Sequence, residues 1–186
     1  MLLLAMVLAQ APLVTEKPCT GFSVVWTSPS GQPTEDDELV EVKVGDARFA
    51  VPFQPAMFTD TGAFITGPQV KCREGLLAWE VKPGLLVLVM TRSGRPGLDL
   101  VSLALVDLAR RKTLQVLETR WELVSGREVT KDGVRFRFIA RAAKGGFDLR
   151  VVREWLPGDD SPFGAIEDWL AVRATQEQLT AKWLRP

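Results

Sequence analysis

Arginines alternate with apolar residues along two neighbouring segments in the last third of the chain. The first segment, "VRFRFIAR", carries Arg135, Arg137 and Arg141, and the second, "FDLRVVREWL", carries Arg150. The period of two predicts a pair of antiparallel strands that bury their phenylalanines and leave these arginines on the opposite face. A guanidinium pairs a phosphate or carboxylate through two parallel hydrogen bonds, so this face is a candidate anion-binding surface. The alternative is a solvated face without a ligand, because antiparallel sheets commonly leave one side wet.

Two acidic clusters offer oxygen atoms for a metal ion or carboxylates for catalysis. They are "TEDDE", residues 34–38, and "GDD", residues 158–160, and neither has the D-x-D-x-D-G rhythm of a dedicated calcium loop. A solvated turn is the simpler interpretation of each. Scattered carboxylates can also pair for glycoside hydrolysis, which requires two of them at a fixed separation. The sequence therefore predicts no metal site and no cofactor, and leaves carboxylate catalysis as an alternative.

The chain contains neither histidine nor tyrosine. Without histidine, the Ser-His-Asp and Cys-His catalytic arrangements cannot be assembled, and the commonest transition-metal ligand is missing. The glycine-rich phosphate loops and the G-x-S-x-G nucleophile elbow are absent as well. The net charge is zero, so no overall field attracts the protein to nucleic acid. These features favour a binding or structural role over an enzyme, and nucleic acid is not an expected partner.

The start of the chain has the order of a secretory leader. Residues 2–9 form an apolar run that is too short to cross a bilayer as a helix, and small residues follow at the spacing that signal peptidase recognises. We predict a signal peptide over residues 1–11, with cleavage before Gln10 or Pro12. The protein is then periplasmic or secreted and has no transmembrane segment. The alternative is a cytosolic protein in which the apolar run forms a buried first strand.

Cys19 and Cys72 are the two cysteines of the chain. In an oxidising compartment a single pair is most simply one disulfide. The bridge would close a loop of roughly fifty residues, for which the chain-entropy treatment gives about 4 kcal/mol of stabilisation. The alternative, a pair of free buried thiols, belongs with a cytosolic location. Two cysteines without histidine cannot complete a typical four-ligand zinc site unless carboxylates join them.

Alternating hydrophobicity dominates the chain and sets two local expectations. Val42 and Phe49 should face each other across Gly45-Asp46, because a glycine-first pair suits the positive φ of a type II′ hairpin turn. The segment "LLVLVMT", residues 85–91, has no polar face. A strand of this kind is buried on both sides, so we expect it at the centre of the fold.

About ten strands at short, regular spacing predict one mainly β domain over residues 12–186, an antiparallel sandwich or a barrel. In the arginine-bearing pair, a shared buried face places Phe138 opposite Leu149. Residues 165–185 fit two structures equally well. One is a C-terminal helix with an apolar stripe, and the other is a hairpin of "WLAVRA" and "LTAKWL" around "TQEQ".

We predict an exported small β domain with a binding or structural accessory role at the cell envelope. An anionic glycan, a lipid headgroup or an envelope protein is the kind of partner that the arginine face would suit. The alternative is a hydrolase-like enzyme that uses carboxylates alone or with a metal. A carboxylate pair in one cleft would favour the enzyme, whereas a closed core with shallow grooves would favour binding.

Overall fold

The structure is a computed structural model that describes residues 11–28, 39–53, 61–62, 67–72, 76–93, 98–122, 134–155 and 166–184. Within these ranges the chain forms thirteen β-strands and no helix. The strands are β1 (Leu13–Cys19), β2 (Phe22–Ser28), β3 (Leu39–Val44), β4 (Ala47–Val51), β5 (Thr61–Gly62), β6 (Leu77–Lys82), β7 (Leu85–Ser93), β8 (Leu98–Asp107), β9 (Lys112–Glu122), β10 (Val134–Ala143), β11 (Gly146–Trp155), β12 (Ile166–Ala174) and β13 (Leu179–Leu184). The prediction of a mainly β fold is confirmed.

Three sheets are built almost entirely from strands that follow one another in sequence. The N-terminal sheet has the order β1-β2-β3-β4, the central sheet β6-β7-β8-β9, and the C-terminal sheet β13-β12-β11-β10-β5. All neighbouring strands are antiparallel except the short parallel pair of β5 and β10. None of these sheets closes on itself within the described part of the chain.

The central sheet is covered on both faces by apolar side chains. Along β7, Val87 and Val89 join a cluster with the C-terminal sheet, whereas Leu86 and Leu88 join a second cluster with the N-terminal sheet. All four side chains are almost completely buried. Successive side chains of a strand point to opposite faces, so a strand covered on both sides needs an unbroken apolar run. The expectation for residues 85–91 is confirmed.

The hairpin of β3 and β4 has the predicted pairing and turn. Val42 lies opposite Phe49, and Val44 opposite Ala47. Gly45 has a φ of 59°, and among the described non-glycine residues only Arg111 has a positive φ. A positive φ at the first turn residue alone is the requirement of a type II′ turn. Glycine at this position therefore fixes the register of the hairpin.

The pairing of β10 and β11 corrects one sequence prediction. Phe138 lies opposite Val151, not opposite Leu149, so the predicted register is shifted by two residues. The cause is a tight turn in which Ala143 pairs with Gly146 and leaves only two residues between the strands. Because the error is an even number, the side chains keep their predicted faces. Phe138 and Leu149 both lie in the core.

The C-terminal segment forms a hairpin and not a helix. Strands β12 and β13 flank a four-residue loop, residues 175–178, as in the hairpin alternative. The Thr175 N–H donates to the Gln178 carbonyl (2.8 Å), and the Gln178 N–H donates to the Thr175 hydroxyl (3.1 Å). Leu170 and Val172 alternate into the core, which a strand permits and a helix would not.

The thirteen described strands exceed the predicted number of about ten. Strand β1 contains Pro18 and lies at the edge of its sheet. Proline cannot donate to a ladder of backbone hydrogen bonds, so within sheets it is found at edges. The same residue weakens the strand signal of this segment.

Candidate functional site

The outer face of the C-terminal sheet carries most of the arginines that the sequence predicted as candidate site residues. Residues paired across a sheet lie on the same face, so the strand register identifies the members of this face. We call the set the basic face; it comprises Arg137, Ile139, Arg141, Asp148, Arg150, Val152, Glu167, Trp169, Ala171, Arg173, Thr180, Lys182 and Leu184. Five of these side chains are basic and two are acidic.

The structure brings together three of the four arginines that the sequence singled out. Arg137, Arg141 and Arg150 lie on the basic face. Arg135 belongs to the backbone of β10, where it pairs with Glu154, but its side chain lies outside the described residues. The predicted grouping on the face opposite the phenylalanines is therefore observed for three of its members.

A carboxylate holds two arginines together at the centre of this face. Asp148 Oδ1 accepts a hydrogen bond from Arg173 Nη2 at 2.8 Å, and its Oδ2 accepts from Arg141 Nε at 3.3 Å. Arg173 Nη1 also donates to the backbone carbonyls of Phe147 (2.9 Å) and Val172 (2.8 Å). The Asp148 side chain is only 12% exposed, whereas the Arg141 side chain is 60% exposed. Arg173 is anchored by three acceptors, while Arg141 projects toward solvent.

The charge of Asp148 follows from these contacts. Partial burial raises the pKa of this carboxyl, but the hydrogen bonds and charges of Arg173 and Arg141 outweigh the burial and lower the pKa overall. Asp148 is therefore ionised at neutral pH. One carboxylate between two guanidinium groups leaves a net positive charge at the site.

An aromatic ring and a second ion pair complete the face. The Arg141 guanidinium lies over the Trp169 ring, 4.3 Å from its centroid, a distance suited to a cation–π contact. Arg150 forms an ion pair with Glu167 on the neighbouring strand. Lys182 has no carboxylate partner among the described residues. Basic side chains thus remain in excess after the internal pairs are formed.

Several members of this face could not be found from the sequence alone. Glu167, Trp169, Arg173 and Lys182 come from residues 165–185, for which helix and hairpin were equally good interpretations. Only the hairpin alternative, with its period of two, would have placed them beside the arginines of β10 and β11. The missing information was the type of secondary structure.

The predicted pairing of the cysteines is present. Cys19 and Cys72 form a disulfide with a Cα–Cα distance of 4.4 Å, and the backbones of the two residues also form a β-bridge. Cys72 is fully buried. The bridge joins the end of β1 to the segment that precedes β6, so it fastens the N-terminal sheet to the central sheet.

A shallow cleft of about 230 Å³ lies where three turns meet. Its lining includes two carboxylates, Asp107 and Glu177, and two basic residues, Lys82 and Arg110. Asp107 Oδ1 accepts the backbone N–H of Arg110 at 2.9 Å, and Asp107 Oδ2 lies 3.6 Å from Arg110 Nε. One of the two carboxylates is therefore already engaged by a cation.

Other carboxylates of the described chain are also paired with cations. Burial raises the pKa of Glu80, but the hydrogen bond from Lys71, together with that from the Gly84 N–H, lowers it overall. The pKa of Glu16 is lowered by a hydrogen bond from the Ser23 hydroxyl and another from Lys43. These shifts keep the carboxyls ionised, which is the opposite of what a general acid requires.

The described ranges hold neither a metal-binding cluster nor a helix suited to cross a membrane. No group of three or more Asp, Glu, Cys or His side chains is arranged there to hold a metal ion. Residues 34–38 and 158–160, the acidic clusters of the sequence, lie outside the described residues. No helix in the described part of the chain has the length and apolar character to cross a membrane.

The fold and the site together define an all-β protein of three antiparallel sheets with a basic outer face. Comparison with models of protein families, with curated proteins and with solved structures finds no match to this chain.

Proposed function

We propose that the chain is an exported β protein that acts by binding, or as a structural accessory, at the cell envelope. The observation that carries this proposal is the Cys19–Cys72 disulfide. Disulfides persist in oxidising compartments and are rare in the cytosol. The apolar leader-like run at the start of the chain points to the same compartment.

The position of β1 agrees with removal of a leader. The predicted cleavage sites, before Gln10 or before Pro12, both precede Leu13, the first residue of β1. Cleavage at either site would leave every described strand intact.

The packing supports a sandwich over a barrel as the finer description of the fold. One apolar cluster joins the central and C-terminal sheets, and a second joins the central and N-terminal sheets. Sheets that face one another through such clusters form layers, whereas a barrel closes one sheet on itself. We therefore propose a sandwich of three layers.

Expression of the full chain in a Gram-negative host tests the proposal. We expect the mature protein in the periplasmic fraction, with an intact mass that begins at Gln10 or Pro12. Its cysteines should resist alkylation under denaturing, non-reducing conditions and react after reduction. A chain that keeps its first residues, stays in the cytosol and carries two free thiols would contradict the proposal.

A second candidate, a carboxylate-dependent hydrolase, is favoured by one observation. Asp107 and Glu177 line the same cleft, as a pair of catalytic carboxylates would. The contacts of Asp107 with Arg110 and the shallowness of the cleft count against it. Hydrolysis of a panel of aryl glycosides that is abolished in both Asp107→Asn and Glu177→Gln would establish this function. Turnover unaffected by these changes, or no turnover, would exclude this cleft as the active site.

A further inference from the structure

We propose that the basic face of the C-terminal sheet binds the surface of an anionic phospholipid bilayer. The inference deepens the proposed envelope role and rests on it for the compartment. Its support comes from the charge, the available hydrogen-bond donors and the apolar side chains of that face.

The charge of the face is complementary to phosphate. Arg150 and Glu167 neutralise each other, and Asp148 offsets one of its two arginines. Lys182 lies in the same row across the sheet as Arg141 and Asp148, and it is exposed. Positive charge therefore remains in the rows that hold Arg141, Lys182 and Arg173. A lysine or arginine close to an anionic lipid surface contributes about 1 kcal/mol to binding.

Asp148 holds two arginines in positions from which they can bind a second anion. It engages Arg141 through Nε and Nη2, and Arg173 through Nη2. Among the described contacts, Arg141 Nη1 and Arg173 Nε have no acceptor, so each guanidinium retains an unused N–H donor. The arginines are held in place before a ligand arrives, which reduces the entropy lost on binding.

Apolar residues on the same face distinguish a bilayer from a purely ionic partner. Ile139, Arg150, Trp169 and Leu184 form one row across the sheet, and Leu184 is 40% exposed. An exposed leucine beside basic residues gains nothing from an acidic polysaccharide. At a bilayer surface, it enters the boundary of the acyl chains while the bases contact the headgroups.

Vesicle co-sedimentation of the full chain tests the proposal. The probe is vesicles of phosphatidylcholine mixed with phosphatidylglycerol, and vesicles of phosphatidylcholine alone serve as the reference. We expect binding to the mixed vesicles only, and we expect added salt to weaken it because the attraction is electrostatic. The double variant Arg141→Gln, Lys182→Gln should weaken binding by about fivefold for each base removed.

A matched control removes the same charge from the opposite layer. Lys43 and Arg48 lie on the outer face of the N-terminal sheet, each paired with a glutamate. The variant Lys43→Gln, Arg48→Gln has the same net charge as the first double variant, and we expect it to retain wild-type vesicle binding. Equal losses in the two double variants would show that net charge alone matters, and would overturn the assignment to the basic face.

A single apolar change separates a bilayer from an acidic polymer. Leu184→Ser should weaken vesicle binding severalfold and leave retention on immobilised dextran sulfate unchanged. If the chain binds dextran sulfate but not the mixed vesicles, the partner is an anionic polymer and the bilayer proposal is wrong. Export and disulfide formation are measured independently, so failure here can be told apart from failure of the envelope role.

Discussion

The central sheet is joined to its two neighbours in different ways. On the side of the N-terminal sheet, the Cys19–Cys72 disulfide adds a covalent link to the apolar contacts. On the side of the C-terminal sheet the links are noncovalent, and one ring contact sets Trp79 against Phe147, with centroids 5.0 Å apart.

At the interface between the central and C-terminal sheets, where no disulfide is present among the described residues, side chains of β9 supply hydrogen bonds to β13. The Leu179 N–H donates to Gln115 Oε1 (2.7 Å), and Gln115 Nε2 donates to the Leu179 carbonyl (3.1 Å). Trp183 Nε1 donates to the Thr119 hydroxyl at 2.8 Å. The amide of Gln115 thus pairs with a backbone residue of β13 as a neighbouring strand would. The stability of the interface between the N-terminal and central sheets therefore depends on the redox state of the solvent. The stability of the interface between the central and C-terminal sheets depends on packing and hydrogen bonds alone.

Removal of the disulfide should have the largest effect and should act on one interface. The double variant Cys19→Ser, Cys72→Ser frees a loop whose ends are 53 residues apart. The chain-entropy treatment then predicts a loss of about 4 kcal/mol in the free energy of unfolding. Chemical denaturation measures this loss. Hydrogen exchange should show faster opening of β1–β4 than of β10–β13, and uniform acceleration would contradict the division into two interfaces.

Truncation of one core leucine on each side sharpens the comparison. Leu88 faces the N-terminal sheet, Leu149 faces the central sheet from the opposite layer, and both are fully buried. Each change to alanine should cost about 3 kcal/mol, through lost burial and the cavity left behind. Combined with the cysteine double variant, Leu88→Ala should be non-additive, because residues that share an interface are coupled. Leu149→Ala should be additive.

Loss of the Gln115 amide should have an intermediate effect. In Gln115→Ala the backbone N–H and carbonyl of Leu179, a residue that is only 2% exposed, lose their partner, which costs about 1–3 kcal/mol. Thr113→Val is the matched change at the other interface, where the hydroxyl donates to the Ala50 carbonyl. This bond is exposed and water can replace it, so the loss should stay near 0.5 kcal/mol. Equal losses in urea denaturation would refute a special role for Gln115.

The smallest expected effect is a loss of stability at acidic pH. The arginines beside Asp148 lower its pKa, and Lys71 lowers that of Glu80. A carboxyl with a lowered folded-state pKa stabilises the protein above its unfolded pKa and loses that contribution as the pH falls through the folded value. The melting temperature should therefore be flat from about pH 6 to 8, where no histidine titrates, and should fall below about pH 4. In Asp148→Asn the melting temperature should fall less steeply below about pH 4 than in the wild type. An unchanged fall would argue against the arginine contacts.

Patterns that depend on neighbours in sequence predicted the structure well. The run in β7 identified a strand covered on both sides, and Gly45 identified a hairpin with its register. Both follow from local geometry, because side chains alternate along a strand and a turn restricts φ. The Cys19–Cys72 pairing was predictable for a different reason, since two cysteines allow one intramolecular bridge.

Features that depend on tertiary contact were not predictable. The apolar spacing of residues 165–185 suits a helix as well as a hairpin, and the choice depends on what covers Leu170 and Val172. The membership of the basic face could not be predicted for the same reason, because Trp169 and Arg173 lie on that hairpin. Gln115 carries no sequence signal at all. Its role arises only from the position of β13 beside β9.

The order of strands has a consequence for how the chain assembles when it is delivered N-terminus first. Within each sheet, the four-strand antiparallel meander consists of consecutive strands, so it can form while later residues are still being supplied. The N-terminal meander can emerge complete, yet Cys19 has no thiol to meet until Cys72 follows. The two thiols can therefore be oxidised to the disulfide only after Cys72, shortly before β6, has been supplied. The disulfide then ties the N-terminal sheet to the segment that leads into β6, and so holds the first layer beside the strands from which the second is built.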